Sequence, residues 1–104
     1  TTASISEDII APEFFSLLQN FPNPFNPETT IEYNINYDGN VTITIFNTKG
    51  ELIKKIDHGN RRTGFHNYKW KGLNSYSELV PTGVYLYTVE SSGSTKSGKM
   101  LMIK

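Results

Sequence analysis

A chain of 104 residues has room for one compact core and none for a second of comparable size. It has no cysteine, so neither a disulfide framework nor a thiolate metal site can support it, and with 37% hydrophobic residues nearly every apolar side chain must face inward to offset the entropy of folding. Lys+Arg and Asp+Glu number ten each, and the resulting zero formal net charge argues against strong nonspecific attraction to nucleic acid or anionic lipid.

The charge is divided unevenly. Residues 1–48 hold Glu7, Asp8, Glu13, Glu28, Glu32 and Asp38 with no Lys or Arg, about −6, whereas residues 49–104 hold ten basic and four acidic side chains, 10 − 4 = +6. Two consequences are open: a mixed surface if strands of the two halves interleave, or a basic C-terminal edge, since Lys96, Lys99 and Lys104 follow Glu90 with no acid among them. No run approaches the roughly 20 apolar residues that cross a bilayer, and no basic stretch with an apolar run behind it opens the chain. A start at Thr1 without Met reads as a piece of a longer precursor whose export signal lies elsewhere.

Residues 1–13 are polar and acidic and read as a linker or frayed end, with a single helical turn possible around Ser6 to Ala11, capped by Ser6 and stopped by Pro12. The folded domain is expected over residues 14–104. Phe14 to Leu18 leads into Asn20-Phe21-Pro22-Asn23-Pro24-Phe25-Asn26-Pro27, where closely spaced prolines fix φ and remove backbone donors. That segment must lie along an edge, pinned to the body by Phe21 and Phe25.

From Thr29 the period becomes two. Thr29, Ile31, Tyr33 and Ile35 share one face, and Val41, Ile43 and Ile45 share a face of the next strand; Asp38-Gly39 between them is a hairpin signal. Gly50 marks a second turn, after which Leu52 to Asp57 reads as an edge strand because Lys54 and Lys55 discourage further pairing. A polar loop is expected from Gly59 to Gly64, then a strand with His66, Tyr68 and Trp70 on one face and Phe65, Asn67 and Lys69 on the other. After a longer loop through Asn74 to Pro81, Val84 to Val89 is apolar or aromatic on both faces, as in a central strand. Ser92-Gly93-Ser94 turns the chain into a last strand over about Lys96 to Lys104. About seven short strands with turns every 8–12 residues or so predict an all-β sandwich with Greek-key connections, or a small barrel as the alternative.

Catalytic chemistry finds no constellation. His58 and His66 are the two histidines; no Gly-x-Ser-x-Gly elbow is present, and both rings are accounted for by packing. No ligand spacing defines zinc or calcium, and no glycine-rich loop precedes a helix, so no metal and no cofactor are expected. Asn40-Val41-Thr42 fits a glycosylation acceptor but equally a strand beside a turn. Tyr68, Trp70, Tyr85 and Tyr87, on neighbouring strands, could stack on sugar rings if exposed; Trp70 on a middle strand is ordinarily core.

The segment Leu18 to Pro27 followed by Thr29-Thr30-Ile31 resembles the opening signature of type IX secretion C-terminal sorting domains, which are related to the immunoglobulin-like domain of flagellar hook-capping proteins. Phe46 to Leu52 around Gly50, and Gly83-Val84-Tyr85-Leu86-Tyr87 with Gly98 to Lys104, are similar to that family's second and third motifs. Asn47 stands where the family often has Asp, and Asn74 to Glu78 where it commonly supplies an acid and a glycine. The resemblance implies an immunoglobulin-like sandwich carried behind a cargo domain, performing no reaction, recognised by the type IX machinery after transit through the periplasm, and in some relatives removed by a sortase-like peptidase at the cell surface. It implies a recognition set of Gly83, Tyr85, Lys99, Met100, Leu101, Met102, Ile103 and Lys104, the last strand offering its free edge for β-augmentation, with Pro22, Asn23, Pro24, Phe25, Gly50 and Trp70 structural. A hook-capping-like structural module and a carbohydrate-binding module are the alternatives.

Overall fold

The computed structural model describes residues 15–17 and 19–104, so the expected linker, the helical turn near Ser6 and the domain boundary at residue 14 lie outside the described residues. Seven strands follow one another: β1 Phe15–Leu17, β2 Thr29–Ile35, β3 Gly39–Asn47, β4 Leu52–Arg61, β5 Gly64–Trp70, β6 Gly83–Ser91 and β7 Ser94–Met102. They form two antiparallel sheets, ordered β1-β2-β5 and β4-β3-β6-β7. This is the expected immunoglobulin-like sandwich.

Alternation sets the faces. Ile31, Tyr33 and Ile35 of β2, Val41, Ile43 and Ile45 of β3, and Tyr85, Tyr87 and Val89 of β6 point into one core with Phe25, Trp70, Met100 and Met102. Trp70 meets Phe25 at 5.7 Å and the Tyr85 ring at 5.6 Å, and its indole N–H donates to the Leu73 carbonyl at 2.9 Å. Each such side chain removed from water contributes about 1.5–3 kcal/mol.

Pairing departs from expectation where alternation is silent. Asp38-Gly39 is no hairpin turn: β2 pairs with β1 and β5, β3 with β4 and β6, so the chain crosses between sheets there. Asp38 serves the crossing by accepting the Thr63 backbone N–H at 2.7 Å and its hydroxyl at 3.0 Å, and those bonds hold its carboxyl below the usual range. The polar stretch from Gly59 is strand as far as Arg61, because Gly39 to Val41 pair with Gly59 to Arg61; the turn shrinks to Arg62-Thr63. The last hairpin also tightens to Ser92-Gly93, both at positive φ (52° and 80°), so β7 begins at Ser94. β4 is an edge strand, as its lysines suggest, and β6 is central but buried on one face, since Leu86 is exposed.

Two loops share one construction. Asn47 Oδ1 accepts the N–H of Lys49 and of Glu51, both at 2.9 Å, and its amide donates to the Glu51 carboxylate. Asn74 does the same with Tyr76, at 2.8 Å, and Glu78, at 3.0 Å, and donates to the Glu78 carboxylate. The left-handed residue is Gly50 in the first (φ 83°) and Ser77 in the second (φ 63°). The serine thus fills the glycine's place, and its Cβ makes that conformation costly.

A bulge in β4 aims His58 inward. Val41 pairs with Gly59 and Thr42 with Asp57, leaving His58 unpaired between them. Its Nδ1 lies 2.6 Å from the Tyr33 hydroxyl of the other sheet, and its ring packs edge-on against Tyr68 at 5.6 Å. Burial pushes the Tyr33 phenol up to about 12, against Arg61, so it remains the donor. Burial first, then Arg61 and His66, hold His58 below its ordinary value, so the ring is a neutral acceptor.

Two stability changes are expected. Ser77→Gly should raise unfolding stability by about 0.5–1 kcal/mol, and Gly50→Ala should lower it by at least as much, in urea titrations. His58 contributes fully above its ordinary pKa of 6.5, and that contribution should fall as pH drops through 6.5, where the unfolded chain takes the proton that the native state resists. Denaturant unfolding between about pH 7.5 and about pH 5.5 should show a shallower loss in His58→Gln than in the parent.

Candidate functional site

The C-terminal strand carries most of the candidate recognition residues, and β7 lies at an edge of the four-stranded sheet. Its outward backbone groups over Leu101–Ile103 are not free. The Phe25 N–H donates to the Leu101 carbonyl at 2.9 Å, and the Ile103 N–H donates to the Phe25 carbonyl at 2.8 Å. Asn23 continues the pairing with its side chain: Oδ1 accepts the Leu101 N–H at 2.9 Å and the amide donates to the Lys99 carbonyl at 3.3 Å. The proline-rich segment is therefore a clasp on the last strand.

What holds the clasp is buried. Phe25 is 2% exposed against Trp70, whereas Phe21 is 78% exposed, so one aromatic pins the segment and the other does not. Phe21 is fixed by its backbone, exchanging hydrogen bonds with Thr30 at 3.0 and 2.9 Å. Between them the Asn20 amide donates to the Thr29 hydroxyl at 2.9 Å, and that hydroxyl donates to the Pro22 carbonyl at 2.8 Å. Asn20 and Thr29 are buried, so each of these bonds satisfies a group that water does not reach. The bonds preceding Pro22, Pro24 and Pro27 are cis.

The candidate residues divide by face. Met100, Met102 and Tyr85 are core, and the Tyr85 hydroxyl donates to the Pro81 carbonyl at 2.6 Å; none of the three is presented to a partner by the folded domain. Lys99, Leu101, Ile103 and Lys104 are exposed, and Gly83 pairs with Met102. Gly98 has a packing reason to be glycine: a Cβ there would sit 2.5 Å from the Tyr87 ring, which leans over it in the core. Tyr85, Tyr87 and Trp70 are buried and Tyr68 half-buried, so these four make no flat platform for a sugar. Among the described residues no three His, Asp or Glu side chains gather to hold a metal, and no helix is long and apolar enough to cross a membrane.

Sequence reasoning gave the edge its free hydrogen-bonding groups because a last strand has one neighbour in order. The signal it could have weighed is Asn23, an amide between two prolines whose own side chain offers both a donor and an acceptor. Asn23→Ala should leave the fold intact and raise exchange of the Leu101 amide in hydrogen-exchange NMR. Phe25→Ala should cost about 3–5 kcal/mol in denaturant unfolding.

No curated protein matches the chain. Among solved structures, it resembles dimeric latent PorU from Porphyromonas gingivalis with a TM-score of 0.70 and 25% identity, over 90% of this chain and 10% of that one. PorZ from the same organism, described as an essential bacterial surface component of the type IX secretion system, aligns with a TM-score of 0.63 at 21% identity over 86% of this chain and 12% of its own. FlgD from Pseudomonas aeruginosa gives a TM-score of 0.60 at 21% identity over 71% of this chain and 58% of that one. The chain thus spans a small fraction of PorU and PorZ. The family model of the FlgD Ig-like domain matches residues 27–95, more than half of the sequence, and the chain belongs to that family.

Proposed function

We propose that this chain is a non-catalytic C-terminal sorting domain that directs an attached cargo across the outer membrane through the type IX secretion machinery. One observation carries the reading. The family match covers residues 27–95, and the parts outside it, Phe21 to Phe25 and Lys99 to Ile103, are the two sides of the clasp. Both sides carry the residues that resemble the sorting-domain signature. The likeness to a PorU segment over 90% of this chain, and to part of PorZ, supports the same context.

In this reading the chain is an address. The machinery recognises a folded object, because the strand that bears Lys99, Leu101 and Ile103 is locked into the sandwich by Met100, Met102 and the clasp. The cargo precedes the domain, arrives in the periplasm by its own signal, and ends outside the cell or on its surface, where a sortase-like peptidase can act on it. A second reading, a structural module like the one in hook-capping FlgD, is favoured by the family match itself.

Deleting Lys99 to Lys104 would strip Met100 and Met102 from the core, so it tests fold and address together. A cleaner experiment places the whole chain behind a periplasmic reporter in a bacterium that has the type IX machinery. The reporter is expected outside the cell, and in the periplasm when the chain is omitted or the outer-membrane channel is deleted. Retention of the intact fusion in the periplasm would favour the structural module.

A further inference from the structure

Clasping closes one mode of recognition. With the Leu101 and Ile103 backbone groups engaged by Asn23 and Phe25, a partner cannot add a strand along that end of β7 without displacing the clasp. The face of the same strand is open.

Register assembles an apolar patch on that outer face. Leu52 pairs with Phe46, Phe46 with Leu86, and Leu86 with Lys99, while Val84 beside them pairs with Leu101. Paired residues in an antiparallel ladder share a face, so these side chains form a continuous surface. Leu52 is 55%, Leu86 39% and Leu101 36% exposed, with Phe46 and Val84 half-buried. Shallow depressions run between Phe46, Leu86 and Lys99 and between Val84, Leu101 and Asn23. A solvated sheet face is ordinarily polar, and a contiguous apolar patch on one marks an interaction site.

Charge on this face is mixed. Lys99, opposite Leu86, lies at the apolar end, and Glu51 beside Leu52 is held by the Asn47 amide. Glu90 lies four residues along β6 from Leu86, roughly 13 Å from the Lys99 row, whereas Asp57 follows Lys55 by two residues on the same face of β4, about 7 Å away. A second copy stacked with its Leu86 over this one would set Lys99 against its own counterpart or against Phe46, with no free carboxylate opposite it. A surface that matches must supply apolar side chains with a carboxylate placed for Lys99.

We propose that a protein of the export machinery docks on the outer face of the four-stranded sheet, with an apolar surface over Leu86 and Leu101 and a carboxylate toward Lys99. The site deepens the sorting reading and rests on it for the partner's place in export.

The test uses reporter fusions of the full chain in a bacterium with the type IX machinery. The parent is compared with Leu86→Glu, Leu101→Glu and Lys99→Glu, and with Asn67→Glu on the outer face of the other sheet. Thermal unfolding of each purified chain establishes that it is folded. The proposal expects about a tenfold or greater drop in exported reporter for the three face variants, with normal export of Asn67→Glu. Lys99→Glu alters an exposed side chain, so it remains informative if a leucine variant fails to fold. Export of the parent together with normal export of the folded face variants would overturn the docking face and leave the sorting reading standing; failure of the parent itself removes both. Sedimentation velocity of the parent, and its co-sedimentation with vesicles of phosphatidylglycerol and phosphatidylethanolamine, complete the test. A dimer, or vesicle binding, that Leu86→Glu abolishes would assign the patch to a second copy or to a membrane and overturn the proposal; a monomer that ignores vesicles supports it.

Discussion

Phe25 makes three attachments at once: its N–H to the Leu101 carbonyl, its carbonyl from the Ile103 N–H, and its ring against Trp70. The first two satisfy an edge that would otherwise invite another strand, and the third ties that edge to the middle of the core. Asn23 and the buried Asn20–Thr29–Pro22 chain of hydrogen bonds place the segment so that all three can form. Prolines suit the task because the clasp needs few donors of its own. Remove the clasp and the sandwich keeps its sheets but loses its closed side, where β1 also approaches β7.

The opposite side is held by different chemistry. There a bulged His58 reaches from β4 to Tyr33 of β2, one hydrogen bond between neutral partners linking the two sheets. The uneven charge of the sequence is dispersed in the same arrangement. β2 and β3, from the acidic half, pair with β5, β4 and β6 of the basic half, so Thr30 faces Lys69 and Thr44 faces Lys55 across ladders. The mixed-surface reading holds on the outer face of the four-stranded sheet too, where Lys55 and Lys99, on its two edge strands, share the face with Asp57 and Glu90.

Which residues face inward was legible, because a period of two is a local property. Ile31, Tyr33, Ile35, Val41, Ile43, Ile45 and Trp70 are buried as alternation requires. Which strand lies beside which was not: Asp38-Gly39 looks like a hairpin whether the chain turns within a sheet or crosses between two, and only the long-range register decides. Phe21 and Phe25 are equivalent in a proline-rich string, yet one is solvent-facing and the other core, since the difference lies in what β7 and Trp70 offer. The recognition set mixed both faces of β7 for a related reason. A motif is read as consecutive letters, whereas a strand presents every second one, so Lys99 and Leu101 face out while Met100 and Met102 face in. Ser77 in a glycine's position was visible as a departure, and its meaning came from the matching hydrogen bonds of Asn47 and Asn74.

The clasp joins residues 76 and 78 positions apart, Asn23 with Lys99 and with Leu101. Contacts so distant in sequence form late, after the intervening loop entropy has been overcome. As the chain leaves the ribosome, β1 to β6 emerge with Phe25 unpaired, and the final partner is made last. A nascent or broken chain that ends before β7 has the strands of a sandwich without its closure, and its edge groups remain open to water and to proteases. Closure is thus a report of the domain's covalent integrity, written into the tertiary structure at the last of its seven strands to be translated.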